Sequence, residues 1–488
     1  MEYELDLLKS SLESLEGEMV AEVNRRSHQV EEIHPRQIPS WKNLLHYMVL
    51  RREDRRDLQL GLHNAGLSAL SNSESHVRYQ VQAIRRRLGE FYEEAEIATC
   101  TYPKSREILE ENVSVMFGSQ NSKTPSIMVT LDSQNGSDAA HLAKLMQEGM
   151  GVARINLAHE SEAEWRAILD ALKKAEKISE KTCKIYMDLA GPKIRTEFLG
   201  KQAGEKQLKI SEGALIFLAG SREGFEEKKQ VVISPTEVSI LPFLKEGERV
   251  LIDDGKIQGI IESKGPGTSV GIRILKIFKK KPTIKQGKGI NFPDSQLKID
   301  PLTDYDLGVL PFAVKEADLI GYSFVNRPRD LAHLVEEMRN ISGEIPPVIL
   351  KIETALAVKN LPALLIEGMK LPHIGVMIAR GDLAVEVGFE RMSEVQDEIM
   401  WICEAAHAPV IWATQVMESL QKSGLATRAE ITDASKAALA ECIMINKGPH
   451  TSAVLQSLRD IIDRMGAHRD KKRYTFRALK IATRFLTK

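Results

Sequence analysis

The chain has 488 residues, 43% of them hydrophobic and 28% charged, with a formal net charge of −1 at pH 7. That length suits two or three domains of a soluble globular protein, and the balance lacks the basic excess that nucleic acid or an anionic membrane surface would select. Cys100, Cys183, Cys403 and Cys442 form no CxxC pair, which argues against a zinc site or disulfide framework and for a reducing cytoplasm. The N-terminus MEYELDLLKS has no signal-peptide core, and no apolar run is long enough to span a bilayer.

Residues 1–120 read as a helical extension of unassigned role. Leu5, Leu8, Leu12, Leu15, Met19 and Val23 recur at helical steps, and further helical zones run from Trp41 to Leu50 and from about Ser75 to Phe91. The clusters RREDRR (51–56) and RRR (85–87), with acids interspersed, read as solvated helix faces. GSQNSKT (118–124) resembles a phosphate-binding P-loop, but Ser122 stands where glycine must precede the lysine, and the strand follows the loop instead of preceding it.

From about residue 125 the pattern changes to short β-branched runs alternating with helical stretches. The runs are IMVTL, VARINLA, CKIYMDL, ADLIGYSFV, PVILKIE, HIGVMIA, PVIWAT and CIMIN. Eight strand–helix units predict an α/β fold, a (β/α)₈ TIM barrel with its active site at the C-terminal strand ends. Between the third and fourth runs, glycine-punctuated segments such as RVLIDDGKIQGIIES and SVGIRILKIF predict an inserted small antiparallel β-domain. The expected division is 1–120 helical extension, 125–196 first part of the barrel, 197–287 inserted lid, 288–470 second part of the barrel, and 471–488 tail.

The predicted rim collects Arg154, Asn156, Asp188, Lys351, Glu353, Asp382 and Thr414. Residues i and i+2 of a strand share a face, so Lys351 and Glu353 emerge together where a buried strand stops. Two carboxylates from neighbouring strands, Glu353 and Asp382, suit a Mg²⁺ that keeps most of its waters. Lys351 would then face a transferring phosphoryl group or a developing enolate. On spacing alone, a plain Lys351–Glu353 salt bridge remains open. Gly381, in Arg380-Gly381-Asp382, would let backbone N–H groups approach a carboxylate or phosphate.

The stretch from about 125 to 445 resembles the pyruvate kinase family, through VARINLAHE, MDLAGPKIRT, VLIDDGKI, KGINFP, DLIGYSFV, LKIE, IARGDLAVEVG, PVIWATQVMESL and ATRAEITDAS in order and spacing. The resemblance implies phosphoryl transfer from phosphoenolpyruvate to ADP, giving pyruvate and ATP, with Mg²⁺ or Mn²⁺. It implies catalytic roles for Lys351, Thr414 and Arg154, metal ligation by Glu353 and Asp382, and substrate binding by Gly381, Asp382 and Thr414. Asn156, His159, Arg195 and Lys288 would face the nucleotide, and the inserted domain would be a lid that excludes water.

The chain also departs from the family's pattern. NFSHG is replaced by Asn156-Leu157-Ala158-His159-Glu160, Leu189 replaces a threonine, and Lys193 stands where K⁺-dependent members carry glutamate. A fixed ammonium in place of a bound ion implies no K⁺ requirement. TIGPAS has become Thr130-Leu131-Asp132-Ser133-Gln134-Asn135, with Lys123 the nearest upstream cation. SGETA has become Asn446-Lys447-Gly448-Pro449-His450. The chain ends at Lys488, so the family's C-terminal effector domain is not expected, and a monomer or homodimer is expected in place of the tetramer. Two other readings stay open: a related enzyme on another enol phosphate or carboxylate, and a catalytically idle sensor or scaffold.

Overall fold

The computed structural model describes residues 2–118, 124–226, 230–466, 469–470 and 473–474. Lys123 with residues 119–122, and the 471–488 tail apart from 473–474, lie outside the described residues.

Before the barrel come α1 (Glu2–Arg25), α2 (Ile38–Arg52), α3 (Arg56–Asn64), α4 (Val77–Arg87) and α5 (Tyr102–Phe117). The expected stripe of α1 is buried at Leu8, Leu12, Leu15 and Met19, and it packs with Trp41 and Leu44 of α2 and Val81 and Ile84 of α4. The arginine clusters are only partly the solvated faces expected. Arg52 and Arg56 are exposed, but Arg85 donates to the buried Glu16 at 2.7 Å, alongside Arg78, Gln82 and Tyr92. Burial pushes the Glu16 carboxyl up, and these donors outweigh it, so it stays below its ordinary value. Arg51 stacks 5.0 Å over the ring of Trp401.

The barrel is closed and parallel. Its strands are β1 (Ser126–Leu131), β2 (Met150–Asn156) and β3 (Lys184–Asp188), with α6 (Ala139–Glu148) and α7 (Glu162–Ser179) between them. The chain then leaves for the insertion: β4 (Thr196–Phe198), β5 (Gln207–Lys209), β6 (Leu215–Leu218), β7 (Val232–Pro235), β8 (Arg249–Ile252), β9 (Ile257–Lys264), β10 (Val270–Ile277), β11 (Thr283–Lys285) and β12 (Ile290–Asn291). Seven of these strands form one sheet, antiparallel except where β6 pairs parallel with β7, and β5 pairs with β11. The insertion buries its own core, including Ile216, Ile233, Val250 and Ile272.

The barrel resumes with α8 (Asp304–Glu316), β13 (Leu319–Tyr322), α9 (Pro328–Ile341), β14 (Val348–Ile352), α10 (Ala355–Gly368), β15 (Ile374–Ala379), α11 (Arg380–Val387) and α12 (Met392–Ala405). It finishes with β16 (Val410–Ala413), α13 (Glu418–Ser423), α14 (Arg428–Ala437), β17 (Cys442–Ile445) and α15 (Thr451–Gly466), and β17 closes on β1. These are the eight apolar runs read from the sequence.

α5 stoppers the end of the barrel opposite the predicted rim. Thr101 caps it by accepting from the Lys104 N–H, a proline sits in its first turn, and Gly118 at φ +83° ends it. Its Leu109, Val113, Met116 and Phe117 pack against the inward-facing Met128, Val152, Tyr186, Ile349 and Met377. The rest of the extension sits on α12: Asn43 donates to the carbonyl of Ala405 at 2.8 Å, and Ser40 meets the buried His407 ring at 3.0 Å.

Candidate active site

The parallel register delivers the predicted residues to one rim. Asn156 of β2 lies opposite Asp188 of β3, which in turn lies opposite Gly321 of β13. Lys351 is on β14, Glu353 just beyond it, Asp382 in the first turn of α11, and Thr414 directly after β16. Asn156, Asp188, Lys351, Glu353, Asp382 and Thr414 line one cleft of about 590 Å³ together with Arg154, His159, Lys193, Arg195 and Gly381.

Asp188, 1% exposed, is the hub. Arg154 donates to its Oδ2 from Nε at 3.1 Å and from Nη2 at 2.5 Å, while Lys351 Nζ stands 3.2 Å and the Tyr186 hydroxyl 3.1 Å from Oδ1. Gly321 makes room for this, because a Cβ there would lie 1.9 Å from the Tyr186 oxygen. Burial opposes the charge on Asp188, but Lys351 and Arg154 outweigh it and hold the carboxyl below its ordinary value. Burial likewise opposes the Lys351 ammonium, and Asp188 and Glu353 outweigh it, raising its pKa. Lys351 also donates to Ser323 Oγ at 2.6 Å, whose hydroxyl donates on to the Leu189 carbonyl. Arg154 spends a third N–H on Thr130 Oγ1 at 3.1 Å. A guanidinium has five N–H donors, so two are left for a ligand.

The open question about Lys351 and Glu353 resolves into a network. They do pair, at 3.3 Å, but the same ammonium serves Asp188 and Ser323. Glu353 Oε2 accepts from the Phe324 N–H at 2.7 Å. Its pKa is raised, first by burial, with Lys351 opposing and the nearby Asp382 adding to the rise. A buried carboxylate whose charge is disfavoured by a second one beside it is a donor set that a divalent cation would relieve. Among the described residues no group of three or more His, Cys, Asp or Glu side chains surrounds such a point, so the fit is to an ion that completes its shell with water and substrate oxygens. Lys193 Nζ occupies Asp382, 2.6 Å from Oδ1 and 2.9 Å from Oδ2.

Thr414 is presented on a strained turn, with φ +73° and then +60° at Gln415. Arg380 holds that turn. Its guanidinium donates to the carbonyls of Ala413 at 2.9 Å and Thr414 at 2.5 Å, pairs with Asp433 at 2.5 and 2.9 Å, and lies 5.0 Å over the Trp412 ring. Gly381 has a packing reason besides the one read from the sequence: a Cβ there would meet Thr414 Cγ2 at 2.9 Å. Sequence reasoning missed Arg380, Asp433, Ser323, Tyr186 and Thr130 as site residues. Arg380, Asp433, Ser323 and Tyr186 lie inside segments that had been read, but the partners of the first three come from elements distant in sequence.

Residues 122–451 match the family model for the pyruvate kinase barrel domain. The chain is 31% identical over 353 residues to a pyruvate kinase from Thermotoga maritima and 32% identical over 349 residues to one from Mycobacterium intracellulare, covering 70% of each protein and of this chain. The chain belongs to the pyruvate kinase family. A match to the Staphylococcus saprophyticus pyruvate kinase, 29% identical, takes in 68% of this chain but 55% of that protein, so the chain spans about half the length of several curated relatives it matches. The fold superposes on a crystal structure of a pyruvate kinase from Cryptosporidium parvum with a TM-score of 0.62 at 26% identity, over 73% of this chain and 70% of that one.

The four residues expected to face the nucleotide do not all meet in this pyruvate kinase family barrel. Asn156, His159 and Arg195 line the cleft, whereas Lys288 is absent from its lining and stands 3.3 Å from Asp253 of the insertion, which Lys279 also contacts at 2.7 Å. Three of the departures from the family pattern, at 130–135, 156–160 and 446–450, meet at three adjacent strand ends. Lys447 after β17 pairs with Asp132 after β1, and Ser133 donates its N–H to Glu160 after β2 at 2.6 Å. One side of the mouth is tied by contacts of its own. No described helix is long and apolar enough to cross a membrane.

Proposed function

We propose that this barrel transfers a phosphoryl group from phosphoenolpyruvate to ADP, dependent on Mg²⁺ and independent of K⁺. The observation that carries the reading is Asp188 holding Lys351 and Arg154 side by side, next to Glu353 and Asp382, on the C-terminal rim. Transfer breaks the bond from phosphorus to the enol oxygen and makes one to a terminal oxygen of ADP; the enolate carbon then takes a proton. The two uncommitted N–H groups of Arg154 would grip the phosphoryl oxygens. Lys351 would exchange one of its present acceptors for the enol oxygen as charge builds there. Thr414, fixed by Arg380, would present its hydroxyl to the enolate face. A Mg²⁺ held by Glu353 and Asp382 would add positive charge at the phosphoryl and carboxylate oxygens. Lys193 supports the K⁺-independent part, since its ammonium already supplies a cation at the site. Pyruvate formation in Na⁺ and in K⁺ buffers, beside Lys351→Met, tests this: equal rates that vanish in the variant are expected, and no turnover by folded protein overturns it.

A second reading, transfer to or from another enol phosphate or a carboxylate, is favoured by the Asp132–Lys447 and Ser133–Glu160 ties at the rebuilt side of the mouth. A panel of enol and carboxy phosphates with fixed Mg²⁺ would separate the two.

A further inference from the structure

A second cavity of about 590 Å³ lies behind the first, between the returning segment of the insertion and the N-terminal ends of α9 and α10. Volumes of this order hold small organic ligands. Its walls are mixed, with Ile290, Phe292, Leu297 and Leu356 forming the apolar part. The charged groups around it are unequally engaged. The acids are taken: Asp294 by Arg249 at 2.7 Å, and Glu386 by the Asn291 amide at 3.0 Å. The side chains of the half-buried Arg327 and exposed Lys359 pair with no acid among the described residues, although the Arg327 backbone N–H donates to Asp330 at 2.8 Å. A hollow with an apolar part and two cationic side chains free of acids fits an anion with an apolar body.

Two residues, Lys193 and Phe324, wall both this cavity and the active-site cleft. Each of them also touches one of the two rim carboxylates, Glu353 being held by Lys351 as well. Lys193 Nζ lies on both oxygens of Asp382, and the Phe324 N–H donates to Glu353 at 2.7 Å. Phe324 does so from a left-handed backbone, φ +56°, which a bulky side chain adopts only at a cost. A ligand seated against the Phe324 ring and the Lys193 stem therefore bears on the partners of Glu353 and Asp382.

We propose that the cavity between the insertion and α9–α10 is a second binding site, for a small apolar anion, coupled through Lys193 and Phe324 to Glu353 and Asp382. The coupling, though not the site, rests on the reading of those two carboxylates as metal ligands. Occupancy of either place changes affinity at the other by the same factor, as linkage requires.

The test uses the full chain with anilinonaphthalene sulfonate, a fluorescent aromatic anion, as the probe and Mn²⁺ as the metal. Saturable probe binding is expected, weakened about tenfold by Arg327→Gln with Lys359→Gln, on the scale of lost charge-assisted contacts, with unchanged circular dichroism. Saturating probe should shift the Mn²⁺ dissociation constant, read by paramagnetic resonance, by about fivefold. Probe binding identical in the double variant overturns the site. Identical Mn²⁺ affinity with and without probe overturns the coupling. Failure to bind Mn²⁺ at all, with probe binding still dependent on Arg327 and Lys359, overturns the metal reading and leaves the site standing.

Discussion

Lys193 Nζ reaches both carboxylate oxygens of Asp382, at 2.6 and 2.9 Å, from the junction where the chain leaves the barrel for the insertion. A fixed cation on an expected metal ligand must share it or leave it when metal binds. Lys193→Met should therefore tighten Mn²⁺ binding several-fold in the absence of substrate, because a competitor is gone. The same variant should lower kcat about tenfold or more in Na⁺, because a charge that the reaction uses is gone too. Weaker Mn²⁺ binding in the variant would show that Lys193 supports the metal instead of competing with it.

Lys351 donates to Ser323, Asp188 and Glu353 at once. Replacing it with methionine leaves Glu353 without its ammonium and Asp188 with Arg154 as its one cation beside the Tyr186 hydroxyl. Loss of one partner from a buried charge set costs about 3–5 kcal/mol. The expected outcome is a fall in kcat of about 10²- to 10³-fold together with a lower urea midpoint. Unchanged stability would mean that water enters to solvate the two carboxylates.

Arg380 lines the cleft, and its guanidinium acts on Thr414 through the backbone carbonyl. Arg380→Lys keeps the charge but loses the planar fork that spans Ala413, Thr414 and Asp433. A misplaced Thr414 should cost about 10²-fold in kcat with little change in KM for phosphoenolpyruvate. Asp433→Asn should fall between the two. A rise in KM at constant kcat would mean that Arg380 orders the whole rim and not this turn.

Glu386, one helical turn beyond Asp382, is lifted to about 7, chiefly by burial, with the Asn291 amide lowering it and Asp382 raising it. In the folded chain it binds its proton up to near neutrality, whereas its ordinary value is 4.5. The folded state thus holds more protons than the unfolded state across that interval, and this group's contribution to stability is lost as pH rises through about 7. Glu386→Gln should flatten the fall in melting temperature between pH 5 and about 7.5 relative to wild type. Parallel pH profiles would assign that slope to other groups.

Phe117, 1% exposed, is at the end of α5 inside the barrel floor. Phe117→Ala should lower stability by about 3–5 kcal/mol, read from chemical denaturation, because rigid strands on all sides cannot close on the void.

The barrel was legible because each strand is a short apolar run buried on both faces, and periodicity reports such runs directly. Lys351 and Glu353 were legible for the same reason: i and i+2 fix their direction. Contacts between elements distant in sequence were not. Nothing in RGD announces that Arg380 bonds Asp433, fifty-three positions away. The arginine clusters misled because charge says nothing about what lies opposite, and Arg85 meets the buried Glu16 while Arg51 meets Trp401. α5 was missed as a separate helix because its apolar face answers to the barrel floor and not to its own neighbours in sequence.

That floor has a consequence for how the chain is made. Translation runs from the N-terminus, so the α5 stopper leaves the ribosome before β1, and long before β17 is available to close on β1. The first strands can assemble on a finished apolar surface while the remaining strands are still being synthesised. A barrel whose sealing pair joins its first and last strands would otherwise expose its open lower end for that whole interval.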